Sequence, residues 1–151
     1  ADLDLRELVC KLAQADGGQQ IELVIDIPVG FSLQADRRRL EQILTNLLDN
    51  AMKFNRPGGT VKITARRIEA EGPGRTEVVV EDDGIGIPSD CVEKVFSRFF
   101  RVDEARSKDI RGTGLGLSIV KHLMRLHGGR VALASELGAG TKVTLTFADQ
   151  D

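Results

Sequence analysis

Two asparagines four positions apart, Asn46 and Asn50, stand within NLLDNAMKF (46–54), a segment otherwise written for an apolar helix. Residues i and i+4 share one face of a helix, so both amides point the same way, and Lys53 joins them. Asparagine is a mediocre helix former, so propensity does not account for the pair. Either this is a solvated face or something polar is bound on it. Glycine is concentrated in three further places: DDGIGIP (82–88), RGTGLGLS (111–118) and LGAGTK (137–142). Glycine permits positive φ and close approach of backbone to a ligand. The second cluster opens a helix, where free amides and the helix dipole favour a phosphate.

Two common phosphate-binding patterns do not fit. GTGLGL lacks the lysine and hydroxyl of GxxxxGK[ST], which excludes a Walker-type loop. It follows no predicted strand, as a Rossmann dinucleotide site with its acidic residue about 20 positions on requires.

The elements that must position these residues are legible from apolar spacing. Leu3 to about Ala15 reads as an amphipathic helix (Leu5, Leu8, Val9, Leu12) that stops before Gly17-Gly18. IELVIDI (21–27) alternates with period two and is a strand. Asp36 precedes a long helix as its N-cap, without a capping box because Arg39 holds the third helical position. Along that helix Leu40, Ile43, Leu44, Leu47, Leu48 and Ala51 form one apolar stripe. Gln42, Asn46, Asp49, Asn50 and Lys53 occupy the opposite sector. NRPGG (55–59) is a turn, TVKITARRI a strand, and TEVVVED a buried central strand running into DDGIGIP. Asp90 and Glu93 are placed to cap a short helix ending near Phe96. Residues 97–112 carry charge without periodicity and are expected to form a mobile loop. Leu115 to about Leu126 is a helix closed by Gly128-Gly129, and RVALASE and TKVTLTF form a hairpin around LGAG. The expected fold class is α+β: a two-layer sandwich with a mixed, mostly antiparallel sheet packed on about three helices. Residues 1–151 are expected to form a single domain.

Bulk properties remove several classes of function. The chain has 151 residues, 41% hydrophobic and 29% charged, with a formal charge of −2. A nucleic-acid binder usually shows a basic excess, so none is expected as a partner. Cys10 and Cys91 form no CxxC, which argues against a zinc or redox motif and fits a reducing compartment. No apolar run approaches the roughly 18–20 residues needed to span a bilayer, and no signal peptide is visible.

Taken in order, NLLDNAMKF, VEDDGIGIP, VFSRFFRVD, GTGLGLSIVK and GAGTKVTL resemble the N, G1, F, G2 and G3 boxes of sensor histidine kinases. The resemblance runs from Asp36 to Phe147, with five motifs in the right order and spacing. The first 35 residues match only in general pattern. That family is similar in its ATP fold to type II topoisomerases and heat-shock chaperone ATPases, and its cofactors are ATP and Mg²⁺.

The resemblance implies a role for each matching residue. Asn50 would ligate Mg²⁺, a cation that takes oxygen donors while keeping several waters, with Asn46 assisting directly or through water. Lys53 would pair with phosphate oxygens and Phe54 would pack on the adenine. Asp82 would accept from the adenine amino group, since an ionised carboxylate only accepts. Gly84 and Gly86 would let the chain turn beneath the base, Ile87 would line the pocket, and Asp83 would be solvated. Phe96, Phe99 and Phe100 would start an ATP lid over 97–112. Arg101 would serve the γ-phosphate with a guanidinium that stays charged and binds two oxygens; Lys108 and Arg111 are further candidates. Gly112, Thr113, Gly114 and Gly116 would let the lid fold over the triphosphate, with the amides of Leu115, Gly116 and Leu117 on phosphates. Thr141 would border the adenine pocket. Asn46, Asn50, Lys53 and Arg101 would form the catalytic set.

In related ATP-hydrolysing families a glutamate, which can act as general base toward water, occupies the position of Asn46. An amide cannot take a proton, so the resemblance implies poor hydrolysis and transfer of the phosphoryl group to another acceptor. That acceptor, a histidine in an H-[DE]-x-x-x-P stretch on a dimerisation hairpin, is absent. His122 and His127 lie in the last helix, where His127 is expected to cap the C-terminus. The chain would then be the catalytic and ATP-binding part of a longer, homodimeric sensor kinase. It would be monomeric and unable to autophosphorylate alone, cytoplasmic and without membrane contact of its own, in a protein attached to the inner membrane that signals to a response regulator. The competing readings are an ATPase or serine kinase of the same superfamily, which Asn46 and FFRVD oppose, and a non-catalytic nucleotide-binding module.

Overall fold

The first helix begins where Asp4 turns its carboxylate back on the chain. Its Oδ1 accepts from the Glu7 amide at 3.0 Å, the third helical position of a D-x-x-E start. Helix α1 therefore spans Leu5–Gln14. Leu3, expected inside it, instead belongs to strand β1 (Asp2–Asp4). That strand pairs antiparallel with β3 (Ser32–Gln34), Leu3 opposite Leu33. The computed structural model describes residues 2–14, 21–53, 55, 58–69, 74–87 and 116–148.

Strand β2 (Glu22–Asp26) leads through β3 into α2 (Arg37–Lys53). Asp36 caps α2 as expected: its Oδ1 accepts from the Arg39 amide at 3.0 Å. The same bond holds its carboxyl below the usual value. All six stripe residues, Leu40, Ile43, Leu44, Leu47, Leu48 and Ala51, are buried. Each fully buried leucine or isoleucine contributes about 1.5–3 kcal/mol, whereas an asparagine costs a helix only about 0.7 kcal/mol relative to alanine. The stripe thus decides how α2 lies and leaves the Asn46–Asn50 sector facing away from the hydrophobic core.

Four strands follow: β4 (Thr60–Ile68), β5 (Arg75–Asp82), β6 (Arg130–Glu136) and β7 (Gly140–Ala148). With β2 they form a five-stranded sheet in the order β2-β4-β5-β7-β6. The β2–β4 pair is parallel and the others antiparallel. Strand β5 is central, as its apolar run requires. Helix α3 (Gly116–Leu126) packs on α2 and β6. Its Gly128, at φ 70°, ends it: the Gly128 amide donates to Arg125 O and the Gly129 amide to Met124 O, the pair of bonds that satisfies the last carbonyls of a helix closed by a left-handed residue. Val61, Ile63, Val78, Val80, Val143, Leu145 and Phe147 from the sheet meet Leu5, Val9, Val120, Leu123 and Met124 from the helices in one core. The described residues form the expected α/β sandwich, their three helices packed on a mixed, mostly antiparallel sheet. The short helix expected before Phe96 and the 97–112 loop lie outside the described residues.

Candidate functional site

Asn46 and Asn50 are both half-buried on the outward sector of α2. The Nδ2 of Asn46 is shielded from solvent yet has no hydrogen-bond partner among the described residues. A buried amide donor left unpaired costs about 1–3 kcal/mol, so this side chain fits a site completed by a polar group. One helical turn on, Lys53 Nζ lies 2.9 Å from the Asp49 carboxylate. Lys53 is therefore partnered by its own helix, and would have to share or leave that carboxylate to reach a phosphate.

The turn after α2 carries the chain from the amide pair to the end of the central strand. Asn55 Nδ2 donates to Thr60 O at 3.2 Å. The Thr60 amide donates to Asp83 Oδ1 at 2.7 Å, and the Asp83 amide to Thr60 O at 3.3 Å. Asp83, expected to be merely solvated, is exposed but fastens the start of β4 to the end of β5. Its neighbour Asp82 is consequently held in place.

Asp82 is half-buried at the last position of β5. Burial pushes its carboxyl above the ordinary value. Hydrogen bonds from the backbone of Gly84 (2.9 Å to Oδ1) and of Thr141 pull it down, and the neighbouring Asp83 charge raises it again. No cation among the described residues offsets the burial. A carboxylate kept at the end of a buried strand without a cationic partner is a candidate acceptor for a ligand donor.

The first and third glycine segments pack against each other. Gly86 has φ 74°, and a Cβ there would lie 2.1 Å from Glu136 O. Gly140 has φ 110°, and a Cβ there would lie 2.0 Å from Asp82 O. Glycine is required at both positions by backbone meeting backbone, so Gly86 serves the turn's contact with the hairpin. The Gly138 amide donates to Ile85 O at 2.8 Å and the Ile87 amide to Ser135 Oγ at 2.8 Å. An open cleft of about 370 Å³ lies at this corner, bordered by Asp82, Ser135, Gly140 and Thr141 among others. Ser135 was not a candidate in the sequence; its only signal is a hydroxyl in a strand position that faces Thr141 across the hairpin.

Among the expected nucleotide residues, Gly84, Gly86, Ile87 and Thr141 gather with Asp82 at this corner. Gly116 and Leu117 open α3. Phe54, Phe100, Arg101, Gly112, Thr113, Gly114 and Leu115 lie outside the described residues, as do Phe96, Phe99, Lys108 and Arg111. His127, expected at the C-terminal end of α3, follows its last residue. It uses both ring nitrogens: Nδ1 lies 2.9 Å from Leu123 O and Nε2 accepts from the Asp36 amide at 3.1 Å. Among the described residues no group of three or more His, Cys, Asp or Glu is placed to hold a metal ion. No helix among the described residues is long and apolar enough to cross a membrane.

Comparison with known proteins gives this arrangement its family. The profile of the histidine kinase-, DNA gyrase B- and HSP90-like ATPases matches residues 35–151, and the chain belongs to that family. It is 40% identical over 146 residues to the sensor-like histidine kinase SenX3 of Mycolicibacterium smegmatis, covering 97% of this chain and 37% of that protein. It is likewise 40% identical over 130 residues to the sensor histidine kinase WalK of Bacillus subtilis, covering 85% and 21%. The chain thus spans well under half the length of these relatives. Among solved structures, the mycobacterial sensor histidine kinase MprB superposes with a TM-score of 0.79 at 28% identity, covering 98% of this chain and 96% of that one. Full-length ShkA in complex with AMPPNP gives 0.78 at 32% identity, covering 99% and 31%.

Proposed function

We propose that this domain binds ATP with Mg²⁺ and presents the γ-phosphoryl group to a histidine on a dimerisation hairpin, the first step of two-component signalling. The observation that carries the reading is the buried Nδ2 of Asn46, unpartnered among the described residues, on the same helix sector as Asn50. A pair of neutral amides offers oxygen to a cation and N–H to a phosphate, and neither can deprotonate a water.

The residue roles follow from that polarity. Asn50 would contribute an oxygen to the cation, and Asn46 a second oxygen or an N–H to a phosphate. Bound Mg²⁺ would neutralise and orient phosphate oxygens, which is most of what a loose phosphoryl-transfer transition state needs. Lys53, drawn from Asp49, would add a positive charge, as would Arg101. Asp82 would accept from the adenine amino group, with Thr141, Gly84 and Ile87 around the base. The backbone at the start of α3, Gly116 and Leu117 with the preceding Gly112, Thr113, Gly114 and Leu115, would supply amides to the phosphates at a helix N-terminus. Transfer forms a bond between the histidine nitrogen and the γ-phosphorus as the bond from that phosphorus to the β–γ bridging oxygen breaks, and ADP leaves. The receiving histidine, the homodimer and any membrane anchor would belong to a longer sensor kinase in which residues 1–151 form a single catalytic unit. The response regulator would be the downstream partner that takes the phosphoryl group from that histidine. ShkA, of which this chain is a structural relative, was solved with AMPPNP, which supports the nucleotide part of the reading.

Supplying the isolated phosphoacceptor hairpin of a related sensor kinase in trans tests the proposal. Labelled phosphate from γ-labelled ATP should appear on that hairpin only when this domain and Mg²⁺ are both present. Rapid ATP turnover on the order of 1 s⁻¹ without any hairpin, and no labelled histidine with it, would instead make the domain an ATPase.

A further inference from the structure

The cross-strand row Asp82, Thr141 and Ser135 joins β5, β7 and β6 at the candidate base pocket. Ser135 Oγ has three neighbours there: the Ile87 amide at 2.8 Å, Gly140 O at 2.8 Å and Thr141 Oγ1 at 2.9 Å. A serine hydroxyl owns one proton and two lone pairs. Two of its partners have fixed polarity, because an amide can only donate and a carbonyl can only accept. Ser135 must therefore give its proton to Gly140 O and take the Ile87 N–H on one lone pair. Only a lone pair remains for Thr141, so the proton of that third contact has to come from Thr141.

The consequence reaches the pocket. With its proton spent on Ser135, the Thr141 hydroxyl can offer only lone pairs to anything that enters, and the ionised Asp82 carboxylate beside it offers only lone pairs as well. We infer that Ser135 is a specificity-determining positioning residue: by fixing the Thr141 hydroxyl as an acceptor, it tunes the corner to the 6-amino group of a purine and against a 6-oxo group. The inference rests on the nucleotide-binding reading proposed above. At position 6 a 6-amino purine brings N–H donors to that corner, whereas a 6-oxo purine brings another acceptor. Two facing acceptors leave at least one of them unpaired, which is how a polar site rejects the wrong partner.

Ser135 also fastens the 84–87 turn to the hairpin, so the test must separate polarity from simple support. Mg²⁺-dependent binding of ATP and of ITP, whose base has a 6-oxo group and an N1–H where adenine has a 6-amino group and a bare N1, is measured by calorimetry for the wild type, Ser135→Ala and Ser135→Thr. In Ser135→Ala the Thr141 hydroxyl is released to rotate and donate, and the ATP-over-ITP affinity ratio is expected to fall about tenfold. Ser135→Thr, which keeps the hydroxyl, should restore it. A Ser135→Ala protein that loses affinity for both nucleotides in equal proportion, or for neither, would overturn the inference and leave the nucleotide reading standing. A wild type that binds neither nucleotide would overturn both. Should Ser135→Ala fail to fold, Thr141→Val removes the acceptor while leaving the Ser135 bonds to Ile87 and Gly140 in place. It should lower the same ratio by a similar factor, and an unchanged ratio there would equally overturn the inference.

Discussion

The amide of Asp36 donates to Nε2 of His127 at 3.1 Å, across 91 residues of sequence. It ties the N-cap of α2, which carries the asparagine pair, to the residue just after α3. The same ring packs edge-on against Phe147 with centroids 6.0 Å apart. His127→Ala removes the acceptor and the ring contact together, and should lower unfolding stability by about 1–2 kcal/mol. Urea denaturation checks this: the midpoint should fall with the slope unchanged. An unmoved midpoint would mean that the two helix ends hold their places without this bond.

Asp82 should cost the ligand-free fold stability at neutral pH. Its folded carboxyl value is raised above 3.8, first by burial, so ionisation is harder in the folded state than in the unfolded chain. The penalty is fully present above the folded value and absent below the unfolded one. Asp82→Asn should therefore raise the melting temperature at pH 7. That gain should shrink as the pH drops through the folded value, while preference for ATP over GTP is lost. Melting curves from pH 7 to pH 3 test the sign, and a variant that melts lower than wild type at pH 7 would reverse it.

Gly86 and Gly138 both have positive φ, but only Gly86 is also crowded by backbone. Gly138→Ala should cost about 1–2 kcal/mol, the price of a left-handed conformation for an L-residue. Gly86→Ala should cost more, because the Cβ would collide with Glu136 O and the turn must move off the hairpin. Equal losses in chemical denaturation would show that contact with the hairpin is not what requires glycine at 86.

The parts legible in the sequence were those set by local periodicity and local capping. The α2 stripe matches the buried set residue for residue because period 3.6 and burial are the same fact. Asp36 was readable as a cap, and Asp82 as the end of a buried strand. The β1–β3 ribbon was not, because its strands are only three residues each and the apolar spacing of Leu3 continues that of α1. The D-x-x-E start at Asp4 was the signal that would have separated them. His127 was readable as a cap on the last carbonyls of α3, which its Nδ1 contact with Leu123 O bears out. Ser135 and the bond between His127 and Asp36 were opaque for a different reason. Their partners lie 48 and 91 residues away, and no local pattern records which backbone amide a side chain will meet after folding. Asp83 is exposed, as expected, but exposure of a carboxylate does not say that Thr60, 23 residues away, uses it.

Binding of a non-hydrolysable ATP analogue to wild type and Asn50→Ala, titrated with and without Mg²⁺, tests the central claim most directly. If the amide pair holds the cation beneath the triphosphate, Mg²⁺ should strengthen binding to the wild type at least tenfold, about 1.4 kcal/mol, and do little for the variant. The same Mg²⁺ enhancement in both proteins would contradict it.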